Sequence, residues 1–408
     1  MCNYEMIRER RKYMNISKSI NYAGVDDHAI DLFEGQYVVP EGMSYNSYVI
    51  MDEKIAVMDA VDAGAVEEWL ANVEGILGGR IPDYLVVHHM EPDHSAGICA
   101  FMEKYPSVKI VSSQMAFVMM QNFYGTAYED RRVIVKEGSV LDLGSHKLQF
   151  IGAPNVHWPE VLMSYETTEG VLFSADGFGK FGALDAEVKL GPDGKVDLDE
   201  DWACEARRYY TGIVGKFGAN VQAVLKKAAN LNIQVICPLH GPVLKENLGY
   251  YLKLYDIWSS YSVESQGVMI AYTSVYGNTK QAVLYLEEAL KQAGCKKVVV
   301  CDLAREDMAE AVEDAFRYGT LVLATTTYNG GIFPYMHTFI DHLTEHNYQN
   351  RKIALIENGA WAPQAAKLMK QMLEQGKNLE FAGTITIKGG VKDETKQQLA
   401  QLAAQLAE

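Results

Sequence analysis

A short segment near residue 90 concentrates side chains that bind metals. Residues 88–94 (HHMEPDH) directly follow the apolar run 84–87 (YLVV). Imidazole nitrogen and carboxylate oxygen are both common metal ligands, and a loop at the end of a strand can direct several of them to one point. Four side chains of this loop could therefore converge on a pair of metal ions: His89, Glu91, Asp93 and His94.

Three further candidate ligands follow apolar runs later in the chain. Asp176 follows residues 172–175 (LFSA), His240 follows residues 236–239 (ICPL), and His157 comes a few residues after an apolar run. Strand ends are where loops gather at one edge of a layered sheet. A lone His-x-Glu is typical of a polar surface loop, but the joint pattern predicts a metal site.

The spacing of these residues resembles that of the metallo-β-lactamase fold, whose metal loop usually reads His-x-His-x-Asp-His. Glu91 stands where that pattern has its second histidine. A carboxylate adds negative charge and favours iron or manganese over zinc, which prefers nitrogen and sulfur ligands. The set is similar to that of the flavodiiron branch of this fold.

The resemblance implies two iron ions per chain and a role for each of the seven side chains. One iron would be bound by His89, Glu91 and His157, the other by Asp93, His94 and His240, and Asp176 would bridge them. His88 points the opposite way on an extended segment, so we expect it to support the site or the fold rather than to bind metal.

Four residues outside this set are candidates for supporting roles. Trp158 is interpreted either as an apolar wall of a gas pocket or as core packing. Tyr209 or Tyr210, which follow two arginines, could donate a hydrogen bond to a metal-bound oxygen species. Glu34 is a further candidate that rests on the resemblance.

A second chemical signal lies at residues 273–279 (TSVYGNT), between a predicted strand and a predicted helix. Hydroxyl groups and a glycine turn at a helix N-terminus favour a phosphate group. The segment lacks the lysine and spacing of a Walker A loop and the Gly-x-Gly-x-x-Gly of dinucleotide sites. It resembles the phosphate loop of flavodoxins, which implies FMN.

Two more segments, residues 325–331 (TTTYNGG) and 358–361 (NGAW), follow the third and fourth predicted strands of the C-terminal half. Ligands of open α/β sheets bind at the carboxyl ends of such strands, and Tyr328 and Trp361 offer aromatic faces to a flavin ring. The predicted FMN-binding residues are Thr273, Ser274, Val275, Tyr276, Gly277, Asn278, Thr279, Thr326, Thr327, Tyr328, Asn329, Gly330, Asn358, Gly359, Ala360 and Trp361.

Two differently patterned halves must position these residues. The first half has a helical stretch at Ala65–Val73 and strand-like runs at Ser47–Met51, Ile55–Met58, Tyr84–His88, Lys109–Ser112, Leu148–Ile151, Val171–Ser174 and Val235–Cys237. The second alternates four strands, Val268–Tyr272, Lys297–Cys301, Thr320–Ala324 and Ile353–Glu357, with helices that include Lys280–Ala293 and Asp393–Ala407. The alternation predicts a doubly wound parallel sheet.

The predicted fold class is α/β, with an αββα metallo-β-lactamase-like sandwich followed by a flavodoxin-like sheet. The predicted division is an N-terminal extension at 1–16, the di-iron domain at 17–262 and the FMN domain at 266–408. The extension is basic and lacks an apolar signal region, and translation could begin at Met14 instead.

Composition bounds the class of protein. The chain has 408 residues, and its net charge of −16 argues against non-specific binding of nucleic acid. The six cysteines include no C-x-x-C pair, so neither a zinc ribbon nor a rubredoxin-type centre is expected. With no apolar run long enough to span a membrane, we expect a cytoplasmic protein.

The resemblance implies an oxidoreductase that reduces dioxygen to water, nitric oxide to nitrous oxide, or both. Electrons would come through FMN from a separate donor, rubredoxin or another reductase, because no fused donor module is expected. It also implies a head-to-tail homodimer, or a dimer of dimers. Two alternatives stay open: a lactamase-fold hydrolase with a regulatory flavodoxin domain, and an electron-carrier or redox-sensing module.

Overall fold

The protein is described here by a computed structural model that covers residues 16–186, 189–192 and 194–407. Nearly all of the predicted N-terminal extension and the alternative start at Met14 lie outside these residues. The chain forms two compact units. One comprises the residues up to Tyr210 together with Ala219–Tyr255, and the other comprises Thr211–Gly218 together with Asp256–Glu408.

The first unit contains fifteen short strands among the described residues. They are β1 (Ile20–Tyr22), β2 (Val25–Asp27), β3 (Leu32–Phe33), β4 (Tyr37–Val38), β5 (Met43–Tyr45), β6 (Tyr48–Ile50), β7 (Ala56–Met58), β8 (Tyr84–Val86), β9 (Lys109–Ser112), β10 (Arg132–Ile134), β11 (Val140–Asp142), β12 (Lys147–Gly152), β13 (Leu162–Glu166), β14 (Val171–Phe173) and β15 (Val235–Cys237).

Helices lie between these strands and after the last of them, and residues 211–218 and 256–259 among them belong to the second unit. They are α1 (Val66–Leu77), α2 (Pro92–Ser95), α3 (Ile98–Lys104), α4 (Gln114–Tyr124), α5 (Cys204–Tyr209), α6 (Gly218–Ala228) and α7 (Leu248–Ser259). Shorter 3-10 turns lie at Ala63–Ala65, Glu129–Arg131 and Gly215–Phe217, and π-helical turns at Asp199–Ala203 and Tyr210–Val214.

Two sheets form the sandwich that the sequence predicts. One has the strand order β1-β6-β7-β8-β9-β10, and the other has the order β11-β12-β13-β14-β15. Apolar side chains from both sheets share one buried core, for example Met58 and Val86 from the first sheet with Phe150 and Phe173 from the second. Burial of these faces fixes which strand ends meet at the edge that carries the candidate ligands.

The second unit is built on a parallel sheet. Its strands are β16 (Ser265–Tyr272), β17 (Val298–Asp302), β18 (Tyr318–Tyr328), β19 (Gly331–Ile332), β20 (Lys352–Asn358) and β21 (Glu380–Ile387). The order β17-β16-β18-β20-β21 is parallel throughout, and β19 pairs with β18 in an antiparallel hairpin. This order is that of a flavodoxin-like doubly wound sheet.

Helices cover both faces of this sheet. They are α8 (Asn278–Gln292), α9 (Met308–Arg317), α10 (Pro334–Glu345), α11 (Ala365–Leu373) and α12 (Asp393–Ala407). Apolar residues of α9, α10 and α11 pack into one core cluster, and those of α8 and α12 into another. The predicted fold class is confirmed for both halves of the chain.

Three local expectations need correction or extension. The segment 325–331 was expected to be a loop, but β18 continues to Tyr328 and turns back through Asn329 and Gly330. Both turn residues have positive φ, 49° and 71°, as a two-residue type I′ hairpin turn requires. The strands β13 and β21 were not predicted at all. No helix in the described parts of the chain is long and apolar enough to cross a membrane.

Candidate metal and flavin sites

All seven side chains that the sequence predicts as metal ligands come together in the first unit. In each of two groups, one potential ligand atom per residue lies within 4.8 Å of the others. The first group is His89, Glu91, His157 and Asp176, and the second is Asp93, His94 and His240. The grouping is the one that the resemblance implies, although the role of each residue as a ligand stays a prediction.

The sandwich positions these groups through the ends of its strands. The segment that follows β8 carries His89 and Glu91, and α2 begins immediately afterwards with Pro92 at its first turn. His157 lies in the connection between β12 and β13. Asp176 follows β14, and His240 follows β15, which pairs with β14 in parallel. Neighbouring strand ends thus bring distant residues to one point.

Asp176 lies between the two groups. Its Oδ2 atom is 3.3 Å from Nε2 of His89 and 3.2 Å from Nε2 of His157. Its Oδ1 atom is 3.2 Å from Nε2 of His94 and 3.8 Å from Nε2 of His240. Each carboxylate oxygen therefore faces a different group, which is the arrangement a bridging ligand needs.

Hydrogen bonds on the outer side of the imidazoles orient two of them. Nδ1 of His89 lies 2.8 Å from Oε1 of Glu160, and Nδ1 of His240 lies 2.7 Å from the main-chain oxygen of Ser44. Both partners are acceptors, so each Nδ1 carries the proton. The Nε2 lone pairs of these histidines then point into the cluster, as metal ligation requires.

The charges of the cluster call for a cation. Glu91, Asp93 and Asp176 contribute three carboxylates, and Asp176 is almost completely buried. Burial raises the pKa of Asp176, but His89 and His94 outweigh this and hold it well below its usual value. Burial lowers the pKa of His157, while hydrogen bonds to Asp176 and Glu91 raise it, to about 9. The buried carboxylates are therefore stable only with positive charge nearby, from protonated histidines or from a bound cation.

Several polar atoms of the cluster have no hydrogen-bond partner among the described residues. They include both carboxylate oxygens of Asp93 and Oδ1 of Asp176. Nε2 of His94 and Nε2 of His240 lie 3.0 Å apart, an arrangement that places two acceptor atoms side by side when neither is protonated. Buried atoms of this kind are costly unless a ligand satisfies them. The residues present therefore fit a pair of metal ions with mixed nitrogen and oxygen ligands.

Aromatic residues enclose the cluster. The ring of Trp158 lies edge-on to His89, with the ring centres 5.2 Å apart, and Tyr209 lies 5.5 Å from His240. Tyr209 is fully buried, and its hydroxyl has no hydrogen-bond partner among the described residues. Burial, and then the charge of Asp176, raises the pKa of Tyr209 well above its usual value, so the hydroxyl keeps its proton. Tyr210 instead packs edge-on against Tyr255.

Glu34 lies against the first ligand group. The residue as a whole is exposed, but partial burial of its carboxyl group, followed by repulsion from Glu91, raises the pKa of Glu34 to about 7. Its backbone has a positive φ of 49°, which a residue other than glycine seldom adopts. The structure thus places this predicted residue next to a candidate ligand, Glu91.

The predicted flavin residues line a cavity of about 470 Å³ in the second unit. All of them except Thr273 and Gly277 contribute to its wall. Thr273 is buried beneath, where its hydroxyl lies 2.6 Å from that of Thr325. Gly277 has a positive φ of 88° and directly precedes α8, so it shapes the turn at the helix N-terminus. Gln364 also lines the cavity and was not predicted.

Two aromatic side chains at this cavity are strongly exposed. Tyr276 is 92% exposed and Trp361 is 83% exposed. Apolar rings are seldom left in water to this extent without a ligand or partner to cover them. The cavity therefore combines hydroxyl groups and a helix N-terminus, which suit a phosphate, with flat apolar faces, which suit an aromatic ring system.

Comparison with known proteins agrees with both sites. Residues 43–241 match the model of the ODP family beta lactamase, and residues 269–395 match that of the flavodoxin domain. Nitric oxide reductase of Moorella thermoacetica is 28% identical over 365 residues, which cover 89% of this chain and 90% of that protein. The two family models together match the lactamase-like half and then the flavodoxin-like half of the chain.

The chain belongs to the flavodiiron protein family.

Two further comparisons describe its relation to other members. Diflavin flavoprotein A 1 of Synechocystis is 31% identical over 303 residues, and this chain spans about half of it, 51%. The structure of rubredoxin oxygen:oxidoreductase from Desulfovibrio gigas superimposes with a TM-score of 0.87 at 24% identity, over 96% of this chain and 97% of that one. At this sequence identity, the superposition shows that the two proteins share a fold.

Membership of the flavodiiron family confirms the predicted oxidoreductase class and the predicted cofactors, FMN and two irons. It favours this interpretation over the lactamase-fold hydrolase. Sequence reasoning missed Glu160 and Asp59, which contact the loop at residues 88–94, and Ser44, which contacts His240. Glu160 lies only three residues after His157, and this spacing was the one available signal.

Proposed function

We propose that this flavodiiron protein reduces dioxygen to water, nitric oxide to nitrous oxide, or both, with electrons that pass through FMN. The placement of Asp176, with one carboxylate oxygen toward each ligand group, carries this proposal. A hydrolase can use a similar arrangement, but Glu91 in place of a histidine favours a redox-active metal. When bound, iron supplies redox-active coordination of a small gas, and FMN supplies electrons singly.

The side chains of the chain have separate tasks in this proposal. His89, Glu91 and His157 hold one metal, Asp93, His94 and His240 hold the other, and Asp176 joins them. Hydrogen bonds at Nδ1 keep the imidazoles of His89 and His240 oriented, so the metal positions are formed before a gas enters. The buried hydroxyl of Tyr209 keeps its proton and is available as a hydrogen-bond donor at the cluster.

Apolar walls limit access of water to the cluster. Trp158 lies against His89, and Phe33 lies edge-on to His240 with ring centres 5.3 Å apart. A site with such walls admits a small neutral gas more readily than a charged substrate. Trp158 therefore has the predicted role of a pocket wall in this proposal, and Tyr209 is preferred to Tyr210 as the donor.

Electron delivery rests on the family resemblance. We propose a separate donor such as rubredoxin, and a head-to-tail homodimer or dimer of dimers in which the flavin of one subunit serves the metals of the other. The di-iron domain at 17–262 and the FMN domain at 266–408 are the units of this proposal. The Moorella thermoacetica relative is named for nitric oxide reduction. Both gases therefore belong in the test.

The test compares Asp176→Ala with Asp142→Ala, a control in which an exposed carboxylate is removed. We expect purified wild-type protein to hold one FMN and two irons per chain. Consumption of each gas is measured in a separate assay with chemically reduced rubredoxin, and the nitric oxide assay is kept free of dioxygen; both rates should fall at least about 100-fold in Asp176→Ala. Its FMN content should match that of the control. Unchanged turnover of both gases by Asp176→Ala, or two zincs with hydrolytic turnover in the wild type, would refute the proposal.

A further inference from the structure

The two ligand groups are matched in the residues that face the metals. Each has two imidazoles and one carboxylate of its own, Glu91 in the first and Asp93 in the second. Each also faces one oxygen of Asp176. Differences between the two positions must therefore come from groups that contact the ligands from outside.

Those outer contacts are unequal. In the first group, His89 bonds through Nδ1 to the carboxylate of Glu160 at 2.8 Å. In the second, His240 bonds to a neutral carbonyl, that of Ser44, and Nδ1 of His94 has no hydrogen-bond partner among the described residues. A carboxylate partner increases the basicity of a ligating imidazole more than a carbonyl does, because it carries a full negative charge.

Glu160 is held firmly in the position that this contact requires. Its side chain is fully buried, and Oε1 also accepts a hydrogen bond from the main-chain N–H of Met90, at 2.8 Å. Its main-chain oxygen accepts a hydrogen bond from Ser113, whose hydroxyl also caps α4. Oε2 has no hydrogen-bond partner among the described residues. The negative charge of Glu160 is therefore buried and directed at His89.

We propose that Glu160 makes the His89–Glu91–His157 position the tighter of the two metal positions, so that it fills first. This inference rests on the proposed function, because it assumes two metals at these residues. Glu160 acts as a positioning residue: it fixes the Nδ1-protonated tautomer of His89 and strengthens Nε2 as a donor to the metal. The second position lacks an equivalent carboxylate and fills at higher metal concentration.

The substitution Glu160→Gln isolates the charge. Glutamine has nearly the same shape, and its amide oxygen can still accept hydrogen bonds from His89 and Met90. Glu160→Asp keeps the charge on a shorter side chain. Glu166→Gln is the matched control, because Glu166 is equally buried on β13 but accepts hydrogen bonds from the main chain of Thr168 and Glu169 instead.

Anaerobic titration of metal-free protein with Co²⁺ against a competing chelator provides the measurement, since the visible absorption of Co²⁺ reports each binding step. We expect two steps in the wild type. Glu160→Gln should weaken the tighter step by roughly 10- to 100-fold and change its absorption spectrum. The weaker step should stay within about twofold, Glu160→Asp should lie between wild type and Glu160→Gln, and Glu166→Gln should leave both steps unchanged.

A ligand variant assigns the steps. His157→Ala removes a ligand of the first position only, so the tighter step should be lost while the weaker step remains. Two equal steps in the wild type, equal weakening of both steps in Glu160→Gln, or loss of the weaker step in His157→Ala would each overturn the inference. These outcomes are separate from failure of the proposed function, which would appear as wild-type protein with two irons that reduces neither gas.

Discussion

Nδ1 of His88 lies 2.5 Å from Oδ2 of Asp59, and both side chains are buried inside the sandwich. The other ring nitrogen, Nε2, lies 2.8 Å from the hydroxyl of Ser164 on β13. His88 comes directly before a candidate ligand, yet it connects the end of β8 to the opposite sheet. The alternation of an extended segment therefore gives adjacent histidines two different tasks, as the sequence predicted for His88.

Replacement of His88 by leucine should destabilise the first unit by about 2 to 4 kcal/mol, because the carboxylate of Asp59 and the hydroxyl of Ser164 lose their buried partner. Thermal unfolding of metal-free protein measures the effect. His28→Leu is the matched control, since His28 is 57% exposed and faces Asp185 at 3.0 Å. We expect that control to change stability by less than about 0.5 kcal/mol. Equal effects of the two substitutions would contradict a structural role for His88.

Much of the candidate metal site was predictable because its ligands follow apolar runs that are long enough to recognise. The side chains that orient these ligands were not. Glu160 and Ser44 carry no pattern of their own, since their roles depend on contacts that only the folded sandwich creates. Asp59 likewise meets His88 across β7 and β8, which are neighbours in the sheet but distant in sequence.

The contacts of His146 should make the stability of the first unit depend on pH. Nδ1 lies 2.8 Å from Asp52, and Nε2 lies 3.2 Å from Glu169. Burial lowers the pKa of His146, but these carboxylates outweigh it and raise the pKa above its usual 6.5. The stability that protonated His146 gains from these carboxylates is therefore complete below about pH 6.5, and it is lost as the pH rises through the folded-state pKa of His146. The pKa of Asp52 is lowered, so a second loss occurs as the pH falls below about 3.8.

Substitution of His146 by glutamine should thus cost about 1 to 2 kcal/mol at pH 5.5 and clearly less at pH 9. Thermal unfolding of both proteins at the two pH values provides the comparison. His337→Gln is the control, because His337 is paired with Asp341 on an exposed helix face. A difference between His146→Gln and wild type that grows with pH would rule out this linkage.

Trp361 should contribute directly to flavin affinity. Its ring is 83% exposed at the cavity of the second unit, and a bound flavin would cover it. Trp361→Ala should weaken FMN binding by about 1 to 2 kcal/mol, or roughly 5- to 30-fold, and Trp361→Phe should restore most of it. Quenching of FMN fluorescence on addition of flavin-free protein measures the dissociation constant of FMN.

The control for this experiment is Tyr335→Ala. Tyr335 is 49% exposed in the same unit but does not line the cavity. Its loss should leave FMN affinity and metal content unchanged. The prediction for Trp361 is wrong if Trp361→Ala binds FMN as tightly as Tyr335→Ala does.

Two of the strands that sequence patterning missed, β13 and β21, and the longer extent of β18 can be explained physically. All five residues of β13 are buried, including Ser164 and Glu166, so the strand has neither an apolar run nor an alternating pattern. β21 is an edge strand with exposed positions at Glu380, Thr384 and Thr386, and this dilutes its apolar signal. β18 extends past its apolar run because its threonine-rich end pairs with β19 and β20. In each case tertiary pairing, rather than local pattern, decides the strand.

Arg351 should be one of the most important polar residues for stability of the second unit. The side chain is almost fully buried, and its guanidinium donates hydrogen bonds to the main-chain oxygens of Tyr261 at 2.8 Å and of Ser262 at 3.1 Å. It also donates to the main-chain oxygen of Phe316. These bonds tie the segment before β16 to the end of α9.

Substitution of Arg351 by methionine keeps much of the side-chain volume but removes the buried guanidinium that donates to these main-chain oxygens. We expect a loss of about 2 to 4 kcal/mol in the unfolding of the second unit, observed as earlier release of FMN fluorescence during urea titration. Arg305→Met is the control, because Arg305 is 68% exposed and pairs with Asp302 at 2.9 Å. That control should change stability by less than about 1 kcal/mol. If Arg351→Met released FMN at the same urea concentration as Arg305→Met, the bonds to the main chain would not be important for stability.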